Sequence, residues 1–368
     1  MTPAAVGTGN RQPTAPACST NSSTEARLAT DHHLIPGSPG SILLRTPYGR
    51  RSPAVLSWKS HGLDLIAQDV RGRHDSPGAW IPYSDHEYQD GLAALDSLRT
   101  IDHRRPIILA GSSYEGFTAL EGERAALDAG HADRIIAVVV MVPALGLWET
   151  AHHADGTPRW RERIGWWHEH GFSRTPRCPL CADELTRRVA VGESEGPDAL
   201  FADEDYGPGA HRAWMRLWSA PRTDLKRWAR PGSAPVLVVT GAHCPLRSDA
   251  HRLVRELSAA GRSVTVLDGP WGHRLLADLP ADGPVGAAIR ARGGLRAPLL
   301  AWLNRRLVND GQAPLSCPSS SPEHVFVGGE DGRATVVAPD GRAHVLPLSD
   351  YLDAAVRPVV PPREERSL

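Results

Sequence analysis

The sequence predicts an α/β fold in which a largely parallel sheet is covered by helices and interrupted by a helical insertion. Three observations carry this: Ile/Val-rich runs without polar alternation, amphipathic stretches between them, and a Trp-rich segment where the rhythm breaks. A continuously apolar strand is buried on both faces, as in a parallel sheet with helices on either side. The strand runs are Ile42 to Arg45, Leu63 to Val70, Pro106 to Gly111, Arg134 to Val142, Pro235 to Thr240 and Ser263 to Leu267. Helices are expected over Asp85 to Arg99, Tyr114 to Ala129 and Ser248 to Ala260, the last with Leu253, Val254 and Leu257 at helical spacing. Residues 144–231 hold seven of the 11 tryptophans among short helical patterns and Gly/Pro-rich joints. They read as an α-helical cap over the C-terminal edge of the sheet, where ligands bind in open α/β folds. Pro298 to Leu307 reads as a further helix, since proline is accepted in a first turn. His324 to Leu346 reads as short strands with turns at Gly328-Gly329 and Asp340-Gly341. The expected division is a flexible lead-in over 1–26, a core over 27–143 and 232–309, the cap over 144–231, and a truncated β-rich segment and tail over 310–368.

Charge and composition narrow the function classes. The 368 residues carry 41 Lys+Arg against 42 Asp+Glu, a formal net charge of −1, which argues against a nucleic-acid partner or a polybasic membrane surface. Lys59 and Lys226 are the only lysines, so the positive charge is almost all arginine. Hydrophobic residues make up 41 %, enough for a sizeable core, and no apolar run reaches the length of a bilayer span. The first residues, rich in Ser, Thr, Pro and Ala, lack the basic start and apolar stretch of a secretory leader. Five cysteines, with only Cys178 and Cys181 close together, do not form a disulfide framework, and a cytoplasmic location is expected.

The chemistry concentrates at two places. Gly111-Ser112-Ser113-Tyr114-Glu115-Gly116 follows an apolar strand and precedes a helical pattern. On such a turn small neighbours permit strained backbone, the serine hydroxyl projects from the sheet edge, and the next amide points at the substrate oxygen, which is the nucleophile elbow of an α/β-hydrolase fold. Gly111 and Gly116 frame Ser113 better than Ser112. The bland alternative is a Gly/Ser turn capping a helix. A serine nucleophile needs a base, and in this fold the histidine comes last in chain order. His273, in Gly269-Pro270-Trp271-Gly272-His273, follows the final core strand and fits that place.

Four ordered segments between residues 44 and 273 resemble the CocE/NonD hydrolases, a family that includes cocaine esterase, the X-prolyl dipeptidyl-peptidases and the α-amino-acid ester hydrolases. They are Leu44-Arg45-Thr46-Pro47-Tyr48-Gly49-Arg50, Gln68-Asp69-Val70-Arg71-Gly72-Arg73-His74-Asp75-Ser76-Pro77-Gly78, Gly111 to Gly116, and Gly269 to His273. The resemblance implies Ser113 as nucleophile, His273 as base, and an oxyanion hole made by the Tyr48 hydroxyl and the Tyr114 amide. A phenol suits that role because it donates to a developing oxyanion. The resemblance also implies an aspartate in Gly-Trp-Tyr-Asp after the strand Pro235 to Thr240, where this chain reads Gly241-Ala242-His243-Cys244. Either Asp249, five residues on, or more remotely Glu149 replaces it, or the pair works as a dyad. Asp249 reads equally well as a residue capping the following helix. A large C-terminal β-sandwich is likewise implied, and about sixty residues follow Leu307.

The expected activity is a serine hydrolase acting on an ester, thioester or amide, with an acyltransferase or cyclase, or a ligand-binding member without turnover, as alternatives. Trp80, Trp166, Trp167, Trp214, Trp218 and Trp271 are the expected substrate-binding aromatics. The expected partner is a small acyl substrate, with no nucleic acid, no membrane and no cofactor, and a homo-oligomer is left open. His168, His170, Cys178 and Cys181 contain one zinc-like CxxC, but the histidines lie in a Trp-rich helical pattern, and reduced structural thiols are the preferred reading over a metal site. Asp203-Glu204-Asp205 is read as a solvated turn.

Overall fold

The computed structural model describes residues 27–101, 104–269, 271–291, 293–312, 333–337 and 343–347. Nine strands among them form one sheet: β1 (Thr30–His33), β2 (Ser41–Thr46), β3 (Asp64–Asp69), β4 (Ile107–Ser112), β5 (Ile135–Met141), β6 (Val236–Gly241), β7 (Val264–Gly269), β8 (Arg333–Val337) and β9 (Ala343–Pro347). Their order is β1-β3-β2-β4-β5-β6-β7-β8-β9. Strands β3, β2, β4, β5, β6 and β7 run parallel, β7 meets β8 in parallel at Asp268 and Val336, and the antiparallel pairs β1–β3 and β8–β9 sit at the two ends. This is the α/β class that the uninterrupted apolar runs predicted, and every residue of β2, β3, β6 and β7 is buried. β1, with the polar sequence Thr-Asp-His-His, carries no such signal. It exists because its backbone completes the edge of β3.

Helices cover both faces. His86–Ile101, Tyr114–Ala129 and Arg247–Ala259 lie over one apolar cluster that includes Leu120, Val138, Val238 and Leu253, and Arg296–Asn309 closes another that includes Ile108, Val139, Leu303 and Trp302. Pro298 sits in the first turn of the last of these helices. Pro284–Ala291 is a helix that the sequence reading missed. Between β5 and β6 the chain forms helical pieces only, chiefly Leu147–Ala151, Trp160–Trp166, Ala182–Glu195 and Ala210–Ser219, which share a core of their own around Ile164, Trp167, Phe201 and Trp214. The turns expected at Gly328-Gly329 and Asp340-Gly341 lie outside the described residues. Among the described residues no helix is long and apolar enough to cross a membrane.

Candidate active site

β4 ends at Ser112 and the next helix begins at Tyr114, so Ser113 alone makes the turn. Its backbone lies at φ 58°, ψ −120°, a region that costs a residue with a Cβ on the order of 1–3 kcal/mol. The surroundings hold it there: Ser113 N donates to the Met141 carbonyl at 2.8 Å, and the Ser113 carbonyl accepts from Gly116 and Ala144 at 3.1 Å each. The turn is this tight only because position 111 is glycine, where a Cβ would stand 2.3 Å from Glu115 Cβ. The result is a hydroxyl at the C-terminal edge of the sheet, beside the N-terminus of a helix whose first amides have no intrahelical partner.

The loops after β6 and β7 position the histidine. Trp271 is fully buried, donates from Nε1 to the Thr240 carbonyl at 2.7 Å, and accepts from His243 N at 3.0 Å. A Cβ on Gly241 would lie 2.2 Å from the Trp271 carbonyl oxygen, so glycine lets the two loops close on each other. His273, two residues beyond, points Nε2 at Ser113 Oγ, 3.0 Å away. Burial, helped by the charge of Arg163, lowers its pKa to about 4, so the imidazole is neutral and able to accept a proton at pH 7.

The other ring nitrogen meets a thiol. Cys244 Sγ lies 3.4 Å from His273 Nδ1, in the place where the motif resemblance puts a carboxylate. Burial pushes that thiol up to about 12, so it is uncharged. Asp249 is turned elsewhere: it is 1 % exposed and its Oδ2 lies 3.2 Å from Arg159 Nη2, because the helix Arg247–Ala259 carries it beneath the helical segment. Glu149 is bound by Thr223 N at 2.9 Å, Thr223 Oγ1 at 2.6 Å and Arg252. Among the described hydrogen bonds, no carboxylate reaches His273 Nδ1.

Tyr48 follows β2, and its loop is held by Arg73, which is buried and donates from Nε to the Pro47 carbonyl at 2.9 Å and from Nη1 to the His170 carbonyl at 3.2 Å. The Tyr48 hydroxyl accepts from Trp166 Nε1 at 3.2 Å and lies within reach of the Ser113 side chain. Burial raises its pKa, which keeps the phenol protonated and a donor. The Tyr114 side chain is locked below the site, donating to Glu87 Oε1 at 2.8 Å and accepting from Tyr83 N at 3.0 Å, while Glu87 pairs with Arg45 at 3.0 Å.

The six tryptophans separate. Trp166 stacks on Tyr114 with ring centroids 6.2 Å apart, and Trp80 lies 5.4 Å from the same ring, so both border the site. Trp167 and Trp214 are buried inside the helical segment 5.9 Å apart, Trp271 is inter-loop core, and Trp218 packs 4.4 Å from Trp160. Burial in neighbouring cores leaves Trp167, Trp214 and Trp271 no face for a substrate. His168 spends its ring nitrogens on the Tyr206 hydroxyl and the Cys178 carbonyl, Cys178 and Cys181 are free and exposed, and no metal-holding group of His, Cys, Asp or Glu occurs among the described residues. Asp203, Glu204 and Asp205 form not a turn but the start of a one-turn helix, Asp203–Tyr206, and Asp203 accepts from the Gly209 and His211 amides beyond it.

Two groups escaped the sequence reading. Glu115 is buried under the serine turn, accepts from Ser112 N at 3.0 Å, and is pushed up to about 7 by burial. Arg163 sits one helical turn before Trp166. That i,i+3 spacing was visible, but the face it occupies was not.

A model of the X-Pro dipeptidyl-peptidase (S15) family matches residues 26–274. The chain belongs to this family. It is therefore a member of a serine-hydrolase family, the one whose motifs its sequence resembles. No curated protein matches it. Among solved structures it is similar to fungal esterases from Rhizomucor miehei (14 % identity, 77 % of this chain and 87 % of that chain, TM-score 0.43). It is also similar to a monoacylglycerol lipase from Paleococcus ferrophilus (18 %, 72 % and 96 %, 0.39) and an esterase from Pyrobaculum calidifontis (15 %, 73 % and 88 %, 0.40).

Proposed function

We propose that this protein cleaves an ester, thioester or amide of a small acyl substrate through an acyl-enzyme on Ser113. The observation that carries the reading is the 3.0 Å contact between Ser113 Oγ and a neutral His273 Nε2 on a strained strand-to-helix turn. His273 takes the hydroxyl proton as Oγ bonds to the carbonyl carbon, and the charge that builds on the carbonyl oxygen is met by the Tyr48 hydroxyl and the Tyr114 amide. The imidazolium then gives the proton to the leaving oxygen, sulfur or nitrogen as its bond to carbon breaks. Water, deprotonated by the same nitrogen, attacks the acyl carbon; the bond to Ser113 Oγ breaks, the carboxylic acid leaves, and His273 returns the proton to Oγ. Residues 144–231 serve as the cap that closes the site.

A fluorophosphonate probe is expected to add its mass to the Ser113 peptide alone, and Ser113→Ala to abolish both labelling and ester turnover. An unlabelled wild type beside a labelled control hydrolase overturns the reading. The uncharged thiol at Nδ1 supports a second one, a protein that binds its ligand without turnover; unchanged ligand affinity in Ser113→Ala, with no product from wild type, would favour it.

A further inference from the structure

Most buried arginines among the described residues meet a carboxylate or, like Arg73, backbone carbonyls; Arg163, near Tyr48 and His273, meets neither. Arg45 meets Glu87 at 3.0 Å, Arg159 meets Asp249 at 3.2 Å, and Arg262 meets Glu123 at 2.6 Å. Arg163 is 8 % exposed, no carboxylate among the described residues pairs with it, and its Nε is buried without a hydrogen-bond partner. Its position is defined by its helix, Trp160–Trp166. Residues three apart share a helical face, and Trp166 on that face donates to the Tyr48 hydroxyl. The guanidinium carbon of Arg163 lies 5.8 Å from the Trp166 ring, and its charge acts on Tyr48, Tyr83 and His273.

An unpaired buried guanidinium is costly, and a planar carboxylate is the group its forked donors match. We propose that Arg163 binds a carboxylate on the substrate, so that the acyl compounds accepted at Ser113 are half-esters or half-amides of short dicarboxylic acids. This rests on the acyl-enzyme reading above and adds the substrate class to it. The remaining anion of the substrate lies against Arg163 while its reacting carbonyl lies at Ser113, and neutral acyl chains of equal length forgo that contact.

The test compares 4-nitrophenyl hydrogen glutarate with 4-nitrophenyl valerate. Wild type is expected to prefer the glutarate in kcat/KM, and Arg163→Gln to lower the glutarate-to-valerate ratio about 10- to 100-fold, chiefly through KM. Arg163→Lys, which keeps the charge, should recover part of the ratio. An unchanged ratio in Arg163→Gln, or an equal loss on both esters, overturns the proposal, the second because it would place Arg163 at the reacting carbonyl or in the fold. If wild type turns over neither ester, the acyl-enzyme reading fails separately and glutarate itself becomes the probe in calorimetry. Binding by wild type that Arg163→Gln loses sustains the carboxylate site, and no binding by wild type overturns it.

Discussion

At the scale of single residues, the thiol opposite His273 decides what kind of base the imidazole is. A carboxylate at Nδ1 stabilises the imidazolium and fixes the tautomer, and in one protease its replacement by an amide costs about four orders of magnitude in kcat. Cys244 offers no charge, so burial and Arg163 hold His273 near 4. The proposed mechanism requires the neutral imidazole, so kcat/KM is expected to stay level as pH falls through the ordinary histidine range and to decline only near pH 4, as a pH–rate profile would record. Cys244→Asp should raise kcat at least about tenfold and move that acid limb upward, because an adjacent negative charge favours the protonated ring. An unmoved limb and unchanged kcat would show that the vacancy lies elsewhere. Asp249→Asn has a different expected signature. It leaves Arg159 buried without its partner, which costs on the order of 3–5 kcal/mol of stability in a denaturant titration and leaves the acid limb where it was.

At the scale of elements, the serine turn is a joint between β4 and the helix Tyr114–Ala129 that stores strain and keeps a carboxyl out of water. Glu115 holds the Ser112 amide, yet burial lifts its pKa from 4.5 to about 7. The folded protein therefore binds a proton there between those values that the unfolded chain does not. Stability from this group is fully present below about 4.5 and is lost as pH rises through 7. The shift corresponds to roughly 3 kcal/mol at most. Glu115→Gln keeps an acceptor for Ser112 N without the ionisation. It is expected to flatten the decline in chemical-denaturation midpoint between pH 5 and 8 and to leave the mutant more stable than wild type at pH 8. A wild-type midpoint that rises over this interval, or a mutant that follows the wild-type curve, would contradict this account.

At the scale of the whole molecule, the structure is two apolar layers around one sheet with a separate helical core above its C-terminal edge. That separation sorts the tryptophans. Trp214, fully buried with Nε1 on the Pro197 carbonyl at 2.8 Å, belongs to the helical core, and Trp214→Ala should cost about 3–5 kcal/mol. Trp166→Phe should change stability by less than about 1.5 kcal/mol but slow ester turnover, because it deletes the indole donor that orients the Tyr48 hydroxyl. Equal losses of stability with unchanged kcat for Trp166→Phe would remove that role.

The parallel strands, the serine turn and the place of His273 could all be read along the chain, though not the order in which the strands pair. Each rests on local chemistry: continuous apolar runs buried on both faces, a glycine where a Cβ would meet Glu115, and a loop directly after a strand. The six central strands appear within about one or two residues of their expected limits for that reason. The edge strand Thr30–His33 did not announce itself, since an edge needs only backbone partners and shows no apolar pattern. Two further matters depended on elements distant in sequence. Asp249 is a few residues from Cys244, but helix phase turns it to Arg159, 90 positions away. Arg163 and Trp166 have a legible helical spacing, but only the docking of their helix determines that this face meets Tyr48. Sequence by itself determined the fold class and the pairing of Ser113 with His273, because both are set by short-range periodicity and turn chemistry. Tertiary structure alone decided which charges are paired, because pairing depends on the packing angle between helices, which no local pattern encodes.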